Sequence, residues 1–160
     1  MAQQKEIDEK VNKITIAIKV IFWILVGIFV VIAAGMASAS SIPAFREYVS
    51  MGLFLAIAGG TFLLLGILLI VLAARSEVTG IFKKFLLLTG ASAVGIFVSS
   101  ILHNVVYGLF IQLFGADFWS RINMPDEPFF FIMAIFVCPI GFLVGVVSCI
   151  VLFIKKRRIA

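Results

Sequence analysis

Apolar residues run along this chain in four long unbroken stretches, and the charged residues fall between them. No charge lies within residues 20–45, 48–74, 85–116 or 128–154. A hydrocarbon core about 30 Å thick is crossed by roughly 20 apolar residues of α-helix at 1.5 Å each. The pattern predicts transmembrane helices at residues 20–39, 51–74, 85–109 and 129–154. A transmembrane β-barrel would instead show segments of about ten residues with alternating character. Ahead of the first stretch, Ile7, Val11, Ile14 and Ile18 recur at helical spacing, with Glu6–Lys10 and Glu9–Lys13 on other faces. Residues 1–19 therefore read as an amphipathic helix on the membrane surface, or as a straight extension of the first span. The fold class predicted is all-α: a single membrane domain, a four-helix bundle with an N-terminal amphipathic helix.

Composition agrees. Of 160 residues, 63% are hydrophobic and 13% charged, against about 25% charged in a soluble domain. So few charges cannot cover so much apolar surface in water. The first apolar run exceeds the 7–15 residues of a signal-peptide core and follows nineteen others, so a retained helix is expected.

Charge position sets the orientation. Lys and Arg number four before the first span, three between the second and third, and four in the tail (Lys155, Lys156, Arg157, Arg158); the other two connections carry only Arg46 and Arg121. Eleven against two places both termini in the cytoplasm of a multi-pass cell-membrane protein. The tail, residues 155–160, is expected to meet anionic lipid headgroups, at about 1 kcal/mol per charge. Residues 110–128, which hold Phe118, Trp119, Ile122 and Met124, are expected in the outer interface together with the belt residues Tyr48 and Tyr107. Pro128 suits the first position of the fourth helix, capped by Glu127.

Small residues recur every fourth position: Gly52, Ala56 and Gly60 in the second span, Ala91, Gly95 and Ser99 in the third, Gly141, Gly145 and Cys149 in the fourth. Such stripes let helices approach closely in lipid and point to bundle packing or to oligomers. Pro139 is expected to kink the fourth helix. Cys138 and Cys149, eleven residues apart on one helix, lie about 16 Å apart, too far for a disulfide.

The candidate chemistry is sparse. One histidine cannot supply two axial haem ligands, no carboxylate lies within a span, and metal-binding, phosphate-binding and Gly-x-Ser-x-Gly motifs are missing. No catalytic residue, cofactor or metal is expected, and no nucleic acid. The concentrated polar feature is on the third span, where Ser99, His103 and Tyr107 share a face beside Asn104. His103 lies eighteen residues beyond Phe85, about 27 Å along a 30 Å core. The fourth span begins at the same level, so an outward-facing polar pocket of His103, Asn104, Tyr107, Glu127 and Ser99 is expected, with Asp126 also in reach.

The stretch LHNVVYGLF from Leu102 and the later DEPFFFIMAIFVCPIGFLVG are similar to small multi-pass prokaryotic proteins in which an HN-x-x-Y-like element precedes an acidic–aromatic start to a Pro-containing last helix. The resemblance covers roughly the C-terminal 60 residues. It implies the four-span fold and transfers no activity and no catalytic residue. Claudin-like tetraspans share the span count, but their outer-loop Trp and Cys signature is missing. The function expected is a non-enzymatic structural or accessory subunit of a homo-oligomer or larger membrane complex. The alternative is a small channel or transporter component using the third-span polar stripe and the Pro139 kink.

Overall fold

The computed structural model describes residues 2–41, 50–124 and 126–159. Helix α1 spans Ala2–Ser41, α2 Met51–Arg75, α3 Gly80–Phe114 and the short α4 Phe118–Arg121. The fourth span consists of α5 (Pro128–Ile132), a π turn (Met133–Val137) and α6 (Cys138–Ile159). Among the described residues four helices are long and apolar enough to cross a membrane, and the protein is an α-helical, multi-pass membrane protein. Its outward faces are hydrocarbon, as a lipid solvent demands. Leu64, Ile57 and Phe136 are among many large apolar side chains left exposed by the bundle.

The helices pack in chain order, α1 on α2, α2 on α3, and α3 on α6. Aromatic rings close the circle between the first and last spans. Phe29 lies 4.7 Å from Phe142 and Phe22 lies 6.2 Å from Phe153, centroid to centroid. Phe62 completes the centre, 5.2 Å from Phe142.

Residues 2–19 form no helix of their own. They begin α1, which continues unbroken for 40 residues, about 60 Å. The straight extension is thus what forms. Ile18 is buried and Ile14 packs on the same core, while Lys13 pairs with Glu9 at 2.7 Å on an exposed face. Bundle packing therefore uses the apolar face through Ile14 and Ile18. The side chain of Ile7 lies outside the described residues, as do those of Lys156, Arg157 and Arg158. So do Arg46, Tyr48 and Pro125 entirely. Where a tail was expected from residue 155, α6 continues to Ile159.

The expected third span, 85–109, is five residues short at each end. At its start, Lys83 and Lys84 do not stop the helix. Lys83 folds back so that Nζ donates to the carbonyls of Ala74 and Ser76, at 3.0 and 3.4 Å, capping the end of α2. At its far end α3 outruns its neighbours. Gly35 lies against Phe54 and Gly59 against Phe97, which puts the start of α2 at about the level of Val105 and the end of α1 at about that of Gly108. Phe114 lies about 13 Å beyond the first and about 9 Å beyond the second.

The glycines show which stripes pack. A Cβ on Gly90 would meet Ile70 at 2.7 Å and the Gly66 carbonyl at 3.0 Å, so α2 and α3 cross backbone to backbone. Gly95 sits on Cys138 and Gly141 on Ser92, and Gly145 lies closest of all to Thr89. Gly52 and Gly60 meet none of the described residues within 4 Å, and Ala56 and Ala91 are exposed. The second-span stripe thus faces outward, and α2 packs through Gly59 and Gly66 instead. A four-residue repeat marks a smooth helix face, but the packed face is set by where neighbouring side chains lie. Both cysteines are free and buried, as their spacing requires.

Candidate polar site between α3 and the start of the fourth span

The site is built where the fourth span begins. Pro128 occupies the first helical turn, its fixed φ and missing N–H suited to that position. The Glu127 carboxylate reaches over it and accepts from the backbone N–H groups of Phe129 and Phe130, at 2.8 and 2.9 Å. Two of the helix's orphan donors are thereby satisfied, next to the positive end of its dipole. Glu127 is buried, and Asp126 Oδ1 accepts from its N–H at 2.8 Å.

His103 of α3 faces this turn. Its Nδ1 lies 3.1 Å from the Glu127 carbonyl oxygen and 3.5 Å from Oε2 of the same residue. A carbonyl oxygen can only accept, so Nδ1 carries the proton. On the other side of the ring Nε2 faces Asp126 Oδ2 at 3.3 Å. The ring plane lies against Phe131, centroids 5.6 Å apart. One imidazole thus ties α3 to both acidic residues before α5. The clasp consumes polar groups that would otherwise be costly at the edge of hydrocarbon.

The other candidate residues are placed differently. Ser99 is buried one turn below His103. Asn104 is exposed and donates from Nδ2 to the Ser100 carbonyl, at 2.8 Å, within its own helix. Tyr107 stacks on Trp119, with centroids 5.6 Å apart and planes 12° from parallel. Trp119 Nε1 donates to the Tyr107 carbonyl at 3.3 Å. The structure therefore brings His103, Asp126 and Glu127 together, leaves Asn104 outside, and gives Tyr107 to a separate aromatic cluster.

The sequence put these aromatic residues at one interface, and what it did not show is their packing on one another. Gly115, at φ +97, reverses the chain after α3 in a conformation that favours glycine. Helix α4 then lies back on the α3 extension, where Phe110 and Phe118 each touch Phe114, Trp119 and one another. Arg121 secures the turn by donating to the Phe114 carbonyl and pairing with Asp117 at 3.2 Å. The available signal was a Gly-x-Asp-Phe-Trp run directly after an aromatic helix end. An open cleft beside it is lined by Tyr107, Ala116, Trp119, Ser120, Asn123 and Met124, all uncharged.

Chemically the clasp is a fastening. Its carboxylate is already used by two backbone donors and its imidazole by three oxygens. Glu127→Ala is expected to cost about 1–2 kcal/mol, the range for loss of a good cap, whereas Asn104→Ala is expected within about 0.5 kcal/mol of wild type. Reversible thermal unfolding in a mild detergent checks both. Comparison of the chain with protein families, curated proteins and solved structures returned no match.

Proposed function

We propose that this protein is a non-enzymatic structural or accessory subunit of a membrane assembly, held in the cell membrane with both termini in the cytoplasm. The observation that carries the reading is where the polar stripe of α3 goes. Thr89 and Ser92 lie buried under Gly145 and Gly141 of α6, and His103 is tied to the start of the fourth span. The stripe is spent inside one subunit. The centre of the bundle is filled by Phe29, Phe62 and Phe142.

This arrangement favours a scaffold over a channel, which needs its polar stripe directed at a water-filled axis. In the outward stripe of the second span, Gly52 and Gly60 meet none of the described residues within 4 Å and Ala56 is exposed, which supports an assembly role, since such faces associate in lipid. The eleven-to-two division of Lys and Arg supports the cytoplasmic termini.

Native mass measurement after extraction in mild detergent tests the proposal. A defined homo-oligomer, or co-purification with larger membrane subunits, is expected. A bare monomer at membrane-like concentrations contradicts it. Ion flux through liposomes carrying the purified protein, abolished by Ser99→Leu, would move the assignment to a channel.

A further inference from the structure

The fourth span carries an irregularity that the contacts on either side of it account for. Below, it is anchored on α3 where Cys138 meets Gly95, Gly141 meets Ser92 and Gly145 meets Thr89. Above, Glu127 is held by His103. Between the Cys138–Gly95 and Glu127–His103 contacts the fourth span advances eleven residues and α3 only eight. At 1.5 Å per residue that is a surplus of about 4.5 Å.

The π turn at Met133–Val137 takes up part of it. The turn is closed by the Cys138 N–H donating to the Met133 carbonyl, five residues back, so it holds more residues than an α turn. Burial records the same winding. Phe130 is half-buried, and Ala134, Cys138 and Phe142 are buried, at four-residue intervals. An α-helix turns 100° per residue, so over the eight positions from Phe130 to Cys138, which span the π turn, it would overshoot by about 80°. Pro139 contributes from below, because in an α-helix its ring would press on the Ile135 carbonyl and it offers no N–H.

We propose that the start of the fourth span is a two-register element held by the His103 clasp. With the clasp engaged, the π turn is kept and Phe130 faces the bundle. With the clasp released, Met133–Val137 closes into α-helix, and α5 turns about its axis by about 100°, one residue's worth. Phe131 then takes the inward position and Phe130 faces lipid. The aromatic surface offered at this level of the membrane changes without any rearrangement of the Gly141–Gly145 seam below. Helix register shifts of this kind occur in microseconds to milliseconds.

Cysteine labelling tests the inference. Phe129→Cys, Phe130→Cys and Phe131→Cys are made singly in a Cys138→Ala, Cys149→Ala background and treated with a membrane-permeant maleimide in mild detergent. With the clasp intact, Phe130→Cys is expected to react slowest. Adding His103→Ala is expected to move the slow position to Phe131→Cys. Where His103→Ala does not fold, His103→Leu is read instead, since it keeps apolar bulk beside Phe131 and removes the ring nitrogens that hold Glu127. An unmoved slow position in the folded clasp variant overturns the inference. Pro139→Ala with the clasp intact is expected to leave the slow position at Phe130→Cys. A shift there would assign the π turn to the proline alone and also overturn it.

Discussion

Gly145→Ala is expected to destabilise the bundle by about 2–3 kcal/mol, near the upper end of the usual cost of overpacking. The added methyl has nowhere to go. It would press on the Thr89 hydroxyl and meet the Thr89 nitrogen at 3.0 Å and the Phe85 carbonyl at 3.2 Å. Two of these neighbours are backbone, so relief requires moving α3 itself. Gly60→Ala is the matched control: its methyl meets none of the described residues within 4 Å, and no loss, or a gain of up to about 1 kcal/mol from helix propensity, is expected. Equilibrium unfolding of the two variants in the same detergent–lipid micelles measures the contrast. Equal losses would show that α3 and α6 do not approach along this seam.

Phe142→Ala is expected to cost about 3 kcal/mol, at the lower end of the range for large core truncations. Its ring is 1% exposed and meets Phe29 and Phe62 at 4.7 and 5.2 Å. Lipid chains are as apolar as a bundle interior, so the loss is mainly dispersion contacts around a cavity rather than exclusion from water. Phe136, on the same span but facing lipid, exchanges one hydrocarbon surface for another when truncated. Its alanine variant is expected to unfold within about 0.5 kcal/mol of wild type. The same unfolding measurement separates the two positions.

The spans were legible in the sequence because a bilayer imposes a length and forbids unpaired charge, and both constraints are written directly in residue order. The ends were less so. Lys83 and Lys84 look like a boundary, yet a lysine satisfies itself by bending its long stem to the carbonyls at the end of α2, and the helix runs on. The amphipathic segment before the first span has the same ambiguity. Periodicity specifies an apolar face, and whether lipid or the bundle covers Ile14 and Ile18 depends on neighbours that the segment itself does not encode.

The meeting of His103 and Glu127 followed from helix rise alone, since α3 and the fourth span are adjacent and antiparallel. Side-chain direction did not follow. Asn104 is one residue, about 100°, around the helix from His103, and that places it on the outward face. Tyr107 shares the His103 face by spacing, but α3 extends beyond its neighbours there, and the ring that covers it comes from α4. In the second span the four-residue repeat of Gly52, Ala56 and Gly60 is likewise not the face that meets α3, which is reached through Gly59 and Gly66. The π turn left only Pro139 as a signal, because it arises from a length mismatch between two contacts that are distant in sequence.

The central claim is a four-span bundle with both chain ends on one side of the membrane. Reporter fusions at the N-terminus and at Ala160, each active only in the cytoplasm, test it in intact cells. Activity from both fusions, in material that stays in the membrane fraction until detergent is added, is the expected result. Activity from only one of them, or release of the chain into detergent-free buffer, would contradict it.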